Sequence, residues 1–222
     1  IATAVETAKN ADVVVLAVGI TSCGNWWKLA PDDLRHCHFN QTDGSRYLEA
    51  EGHDRDTIDI PPIQINLIEE ILALGKPTVV VLFHGGQISL EKFIGVEHVT
   101  LIDAFYPGAM GAQAIANSMF GVANRWGKLP YTVYSTNWTA NHNMLEHEMS
   151  KDRRTYRYMD SEDMQYMVLP FGHGMSLTEF TLTSEMDGKT STLSTDGSSS
   201  ALSVDVQIHN AGALMKGDNV VQ

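Results

Sequence analysis

The chain has little of what most directly announces a partner. Its 222 residues hold 15 lysines and arginines against 27 aspartates and glutamates, a formal net charge of −12. A surface of that sign repels phosphate backbones, which excludes nucleic acid as an expected partner. No apolar run reaches the roughly 18 residues that a membrane span requires. The longest, Val13 to Val18, has the length of a buried strand. No Gly-x-Gly-x-x-Gly follows it, which removes the glycine-rich cradle of nucleotide sites. Only two cysteines are present, Cys23 and Cys37, so one disulfide is the most the chain can close. Cys23, His36, Cys37 and His38 are zinc-type donors. Three of them are consecutive, however, and an extended chain points neighbours to opposite sides, so four convergent ligands do not result. Neither a metal nor a cofactor is expected. No signal peptide is visible, but Ile1 is not an initiator methionine and its absence says nothing about export.

What is present is a globular composition, 43% hydrophobic and 19% charged, in a chain long enough to bury a sizeable core. Ala2 to Lys9 reads as a short helix. The run Val13 to Val18, stopped by Gly19, reads as a parallel strand buried on both faces. From Thr21 to Tyr47 the pattern dissolves into a long excursion with two tryptophans, Trp26 and Trp27. Pro61-Pro62 then opens a helix whose Ile63, Leu67, Ile68, Ile71 and Leu72 share one face, closed by Gly75 and Pro77. Thr78 to Phe83 and Val99 to Phe105 read as two more buried strands. A turn at Tyr106-Pro107-Gly108 leads into a helix from about Ala109 to Phe120. Strands alternating with helices predict an α/β fold with a mainly parallel sheet sandwiched by helices.

Beyond Gly127 the character changes. Leu129 to Tyr134 reads as a short strand and Trp138 to Arg153 as polar and irregular. A Ser/Thr/Gly-rich connector fills Lys189 to Ser200. Leu202, Val204, Val206 and Ile208 alternate with polar residues, the pattern of a half-buried antiparallel strand. The stretch after Phe180 is far shorter than the roughly 100 residues of a complete immunoglobulin-like sandwich, so a truncated β-sandwich segment is expected there. The ten methionines are scattered and read as core filler.

Five blocks in order carry a family resemblance. They are Ala11-Asp12-Val13-Val14-Val15 with Gly19, and Glu49-Ala50-Glu51-Gly52-His53-Asp54-Arg55 with Ile60-Pro61 and Gln64. Then come Tyr106-Pro107-Gly108 through Phe120-Gly121, Asn124 and Gly127-Lys128-Leu129-Pro130. Arg154-Thr155-Tyr156-Arg157 and Phe171-Gly172-His173-Gly174-Met175-Ser176-Leu177-Thr178-Glu179-Phe180 complete the set. Together they resemble glycoside hydrolase family 3, the β-glucosidase and β-xylosidase family. The resemblance implies that residues 1–180 are its C-terminal α/β sandwich domain and 181–222 part of a fibronectin type III-like domain. It also implies a preceding N-terminal (β/α) barrel with no counterpart in this chain.

The chemistry follows from the same likeness. Retaining glycosidases use two carboxyl groups about 5 Å apart, a nucleophile and an acid/base. The family's nucleophile is an aspartate on the barrel, so this chain is expected to supply the second group. In many β-glucosidases that group is a glutamate in the turn after the third strand, where this sequence has Met110, which transfers no proton. β-Xylosidase-like members share a Glu-Ala-Glu run ending in Asp-Arg, and a Gly-Gly-Gln like Gly85-Gly86-Gln87. Glu51 is therefore the acid/base candidate, with Glu49 in reserve. Asp54 and Arg55 are expected to anchor the loop or touch substrate. An ion pair of Glu51 with Arg55 that only fixes the loop is the plain alternative.

The expected activity is hydrolysis of terminal β-linked sugars from an oligosaccharide or glycoside, in concert with the barrel. The rival expectation is a non-catalytic carbohydrate-binding or remnant module, favoured by Met175 and Leu177 where the family prefers Leu and Tyr. Trp26, Trp27 and Trp138 suit either sugar stacking or packing, packing being commoner. Asn40-Gln41-Thr42 and Asn137-Trp138-Thr139 are glycosylation sequons. With a Cys23–Cys37 disulfide they point to a secreted protein.

Overall fold

A computed structural model of the chain describes residues 1–20, 55, 57–143, 145–184, 204–212 and 216–219. Two units are distinguished, residues 1–112 with 130–172, and residues 113–129 with 173–222.

The first unit is built on a parallel sheet of three strands in the order β1-β2-β3, namely β1 (Val14–Gly19), β2 (Thr78–Phe83) and β3 (Val99–Asp103). Register runs from Val14 opposite Thr78 to Gly19 opposite Phe83, and from Thr78 opposite Val99 to Leu82 opposite Asp103. Valine and isoleucine, stiff at χ1, suit these pleated positions. The central β2 buries Val80, Val81 and Leu82. The continuous apolar run Val13 to Val18 predicts burial on both faces, but Leu16 and Val18 on one face are buried while Val13 and Val15 on the other are exposed.

Helices α1 (Ala2–Lys9) and α2 (Pro62–Leu72) complete the core. Pro62 occupies the first helical position, where its missing N–H costs nothing. The helix gives Ile68 and Ile71 to a cluster with Ala8, Leu16, Val18, Val80, Leu82 and Phe93. Each such burial contributes about 1.5–3 kcal/mol relative to exposure. Ile63, expected on that face, is instead 62% exposed, since at 3.6 residues per turn it stands well round the helix from the buried Ile68. Gly75, at φ 66°, turns the chain towards β2.

Strand β3 ends two residues before the expected Phe105, because Phe105 sits at φ 50°, a left-handed conformation no strand accommodates. Helix α3 (Gly111–Met119) follows. A short antiparallel pair, β4 (Val133–Tyr134) with β5 (Met167–Leu169), brackets helices α4 (Thr136–Asn141) and α5 (Thr155–Tyr158). Helix α4 lies where the sequence reads as irregular. Its Trp138 ring stacks on Tyr134 at 4.3 Å and on His142 at 4.1 Å, so packing is the role this tryptophan takes.

In the second unit β6 (Phe180–Ser184) pairs antiparallel with β7 (Val206–Asn210). The alternation in β7 predicts a strand with one apolar face, left uncovered where a sandwich is truncated, and Val206 and Ile208 are exposed, as is Leu182 on β6. Among the described residues this unit has two strands, too few for a second layer. Two of the sequence blocks meet here. The Leu129 N–H donates to the His173 carbonyl at 2.8 Å, and Lys128 Nζ donates to Gly174 O at 2.6 Å. Asn124, buried, accepts from the Leu177 N–H at 3.1 Å and exchanges hydrogen bonds with Ser176 Oγ. These signature residues therefore hold backbone. Methionine is not uniformly core filler, for Met110, Met149, Met164 and Met175 are exposed. No helix among the described residues is long and apolar enough to cross a membrane.

Candidate active site

Open parallel sheets collect ligand sites beyond the carboxyl ends of their strands, and the polar residues of the first unit concentrate there. Strand β1 arrives at Gly19, at φ 146°, where a Cβ would stand 1.9 Å from the Phe83 carbonyl oxygen. Only glycine lets the two strands approach that closely. Gln64 of α2 fixes the same residue: the Gly19 N–H donates to Gln64 Oε1 at 2.7 Å and Gln64 Nε2 donates to Gly19 O at 2.8 Å.

Strand β2 delivers His84, fully buried, followed by Gly85-Gly86-Gln87. His84 Nδ1 lies 2.9 Å from the Gly86 carbonyl oxygen, and Nε2 lies 2.8 Å from Asp103 Oδ1 at the end of β3. Tyr131 donates its hydroxyl to the other oxygen, Asp103 Oδ2, at 3.0 Å. Burial pushes the Tyr131 phenol well above its ordinary range, and the Asp103 charge and hydrogen bond push the same way. The phenol thus stays a donor. Phe105 covers the imidazole, its ring centroid 5.0 Å away, and meets Tyr131 edge-on at 5.9 Å. A carbonyl accepts only, so the Gly86 contact calls for a proton on Nδ1.

Segment 55–60 runs along the turn after β2. Arg55 Nη2 donates to Gln87 O at 2.5 Å and Nη1 to Thr57 O at 3.5 Å. The Ser89 N–H donates to Ile58 O at 2.8 Å, and Asp59 accepts from Thr57 Oγ1 and, at 2.7 Å, from Thr136 Oγ1. Arg55 is thus held against the turn after β2.

Of the residues singled out from sequence, Glu49, Glu51, Asp54, Cys23, Cys37 and Asn40 lie outside the described residues, as do Trp26 and Trp27. Asn137 is exposed on α4. Met110 is 72% exposed just before α3. His84, Asp103 and Tyr131 were not legible as a group. A signal was available for the first two, each a polar residue at the carboxyl end of an apolar run. Among the described residues no group of three or more His, Cys, Asp or Glu side chains could hold a metal ion.

An α/β sheet with a polar carboxyl edge is shared by many enzymes, and comparison with known proteins narrows the class. The description "Glycosyl hydrolase family 3 C-terminal domain" matches residues 1–177. The chain belongs to glycoside hydrolase family 3. A probable exo-1,4-β-xylosidase of Neosartorya fischeri is 34% identical over 182 residues, 80% of this chain and 20% of that protein. An exo-α-(1→6)-L-arabinopyranosidase of Bifidobacterium breve is 29% identical over 195 residues, 84% of this chain and 22% of its own length. The solved structure of a GH3 exo-β-xylosidase in complex with a xylobiose aziridine activity-based probe superposes with a TM-score of 0.63 at 28% identity. It covers 83% of this chain and 21% of that one. The chain spans about a fifth of the length of these relatives.

Proposed function

We propose that this chain supplies the acid/base side of a retaining β-glycosidase site whose nucleophile lies on an N-terminal (β/α) barrel. Substrates are β-linked oligosaccharides or glycosides cleaved at a terminal sugar, with a β-xylosidase-like enzyme favoured over a β-glucosidase. The observation that carries the reading is Arg55 seated on the Gln87 carbonyl, which brings the end of the Glu49–Arg55 run to the carboxyl edge of the sheet. Glu51 is the acid/base, with Glu49 in reserve. Its carboxyl protonates the departing glycosidic oxygen while the nucleophile bonds to the anomeric carbon. As carboxylate it then takes a proton from the water that displaces the nucleophile.

A second reading, a non-catalytic carbohydrate-binding module, is favoured by Met110 in the turn after β3, a side chain without a transferable proton. A Cys23–Cys37 disulfide and glycans on Asn40 and Asn137 would accompany secretion of either.

The test uses an enzyme carrying this chain and a barrel. Glu51→Gln should slow hydrolysis of a natural disaccharide by on the order of 10²–10⁴. It should affect first-step cleavage of a dinitrophenyl glycoside far less, because a phenolate departs without protonation. Glu49→Gln should leave that leaving-group dependence nearly unchanged. The reverse pattern would exchange the two roles, and no dependence in either variant would leave the non-catalytic reading.

A further inference from the structure

His84 does more at this edge than fill space. A buried imidazole needs partners for both ring nitrogens, and both are present: the Gly86 carbonyl oxygen at 2.9 Å and Asp103 Oδ1 at 2.8 Å. Asp103 is in turn held by the Tyr131 hydroxyl at 3.0 Å. Between His84 and Gln87 the chain passes through Gly85 and Gly86, which have no side chains to pack and the widest backbone freedom of any residue. The ring contact at 2.9 Å bears directly on the direction of the Gly86 carbonyl. One peptide further on, the Gln87 carbonyl receives Arg55 Nη2 at 2.5 Å, and Gln87 Nε2 reaches Tyr134 O at 3.4 Å.

We propose that His84 is a positioning residue. Asp103 and Tyr131 orient the imidazole, its Nδ1–H holds the Gly86 carbonyl, and the diglycine turn so held presents the Gln87 carbonyl to Arg55. The ring thereby sets where Arg55 meets the sheet. What that placement serves rests on the acid/base reading above, whereas the link from His84 to Arg55 does not. A single hydrogen bond of ordinary net strength biases the turn by about two- to tenfold.

The link is testable in the 222-residue chain by nuclear magnetic resonance, with the Arg55 Nη–H signals assigned through their loss in Arg55→Lys. His84→Gln carries its amide nitrogen where Nε2 stood, so it reaches Asp103 but not the Gly86 carbonyl. His84→Asn carries its amide nitrogen where Nδ1 stood and can donate to that carbonyl. Solvent exchange of the Arg55 Nη–H protons should accelerate about two- to tenfold in His84→Gln and stay near the native rate in His84→Asn, with Val80 and Leu82 amides protected in both. Equal rates in the two variants would overturn the proposal. Should either variant fail to fold, the native imidazole decides. A ring ¹⁵N spectrum must show a proton on Nδ1, and a bare Nδ1 overturns the proposal, since a carbonyl offers no proton in return. In the barrel-bearing enzyme His84→Gln should lower kcat with little change in KM. A loosened Arg55 with unchanged kcat would uphold the link and remove the catalytic reading of the acidic run.

Discussion

Gln64 joins the first helix after the acidic run to the end of β1, and its removal should be costly out of proportion to its size. In a parallel pair every second residue of an edge strand turns its N–H and C=O away from its neighbour. The Ile20 N–H points at β2, donating to Phe83 O at 2.9 Å, so Gly19 points outward, where the described residues offer no further strand. The Gln64 amide takes the place of that strand through contacts of 2.7 and 2.8 Å. Two hydrogen bonds at about 0.5–1.5 kcal/mol each give about 1–3 kcal/mol. Water can reach Gly19, which is only half-buried, so the full penalty for an orphaned group does not apply. Alanine is a slightly better helix former than glutamine, returning a few tenths of a kcal/mol at most. Gln64→Ala should therefore destabilise the chain by about 1–3 kcal/mol, read as a lower urea midpoint with an unchanged slope. Hydrogen exchange at the Gly19 amide should accelerate beyond that of Val80. A loss under about 0.5 kcal/mol would refute the strand-substitute reasoning, because it falls below one ordinary hydrogen bond.

Two further outcomes follow from the chemistry of single side chains. Tyr131 has its phenol raised above the ordinary 10.0 mainly by burial, with Asp103 adding to it. Below about pH 10 both folded and unfolded chains keep that proton. Above it the unfolded chain binds fewer protons, so stability falls as pH rises towards the folded value. Ultraviolet titration of the folded chain should show Tyr131 ionising after the exposed tyrosines, and Tyr131→Phe should remove that late step. A single common step near pH 10 would refute the buried Asp103–Tyr131 contact. The proposed Cys23–Cys37 bridge closes a loop of about 15 residues, a length that adds about 3 kcal/mol by restricting the unfolded chain. Two titratable thiols in protein recovered from a secreting host would remove both the bridge and the argument for export.

Local sequence determined the elements whose causes are local. Thr78–Phe83 is a strand because its β-branched run leaves few alternatives, and α2 begins at Pro62 because proline fits only the first turn. The five ordered blocks carried the family, confirmed over residues 1–177. Glycines were legible as punctuation, though the reason for Gly19 was not, since the Phe83 carbonyl that excludes a side chain belongs to a strand 64 residues away in sequence. Helix α4 escaped notice because its Asn- and Thr-rich stretch has weak helical preference, and the stacking of Trp138 between Tyr134 and His142 supplies what propensity lacks. The alternation of β7 marks a strand with one apolar face, and in a truncated sandwich that face lacks cover, as the exposed Val206 and Ile208 show. Tertiary structure alone decided the polar edge. His84 and Asp103 come together because the β2–β3 register sets Leu82 opposite Asp103, bringing the carboxyl ends of the two strands side by side, and Tyr131 arrives from beyond α3. Hydrogen bonds between residues so far apart in the chain leave no periodic trace in sequence. They exist only once hydrophobic burial has fixed the sheet.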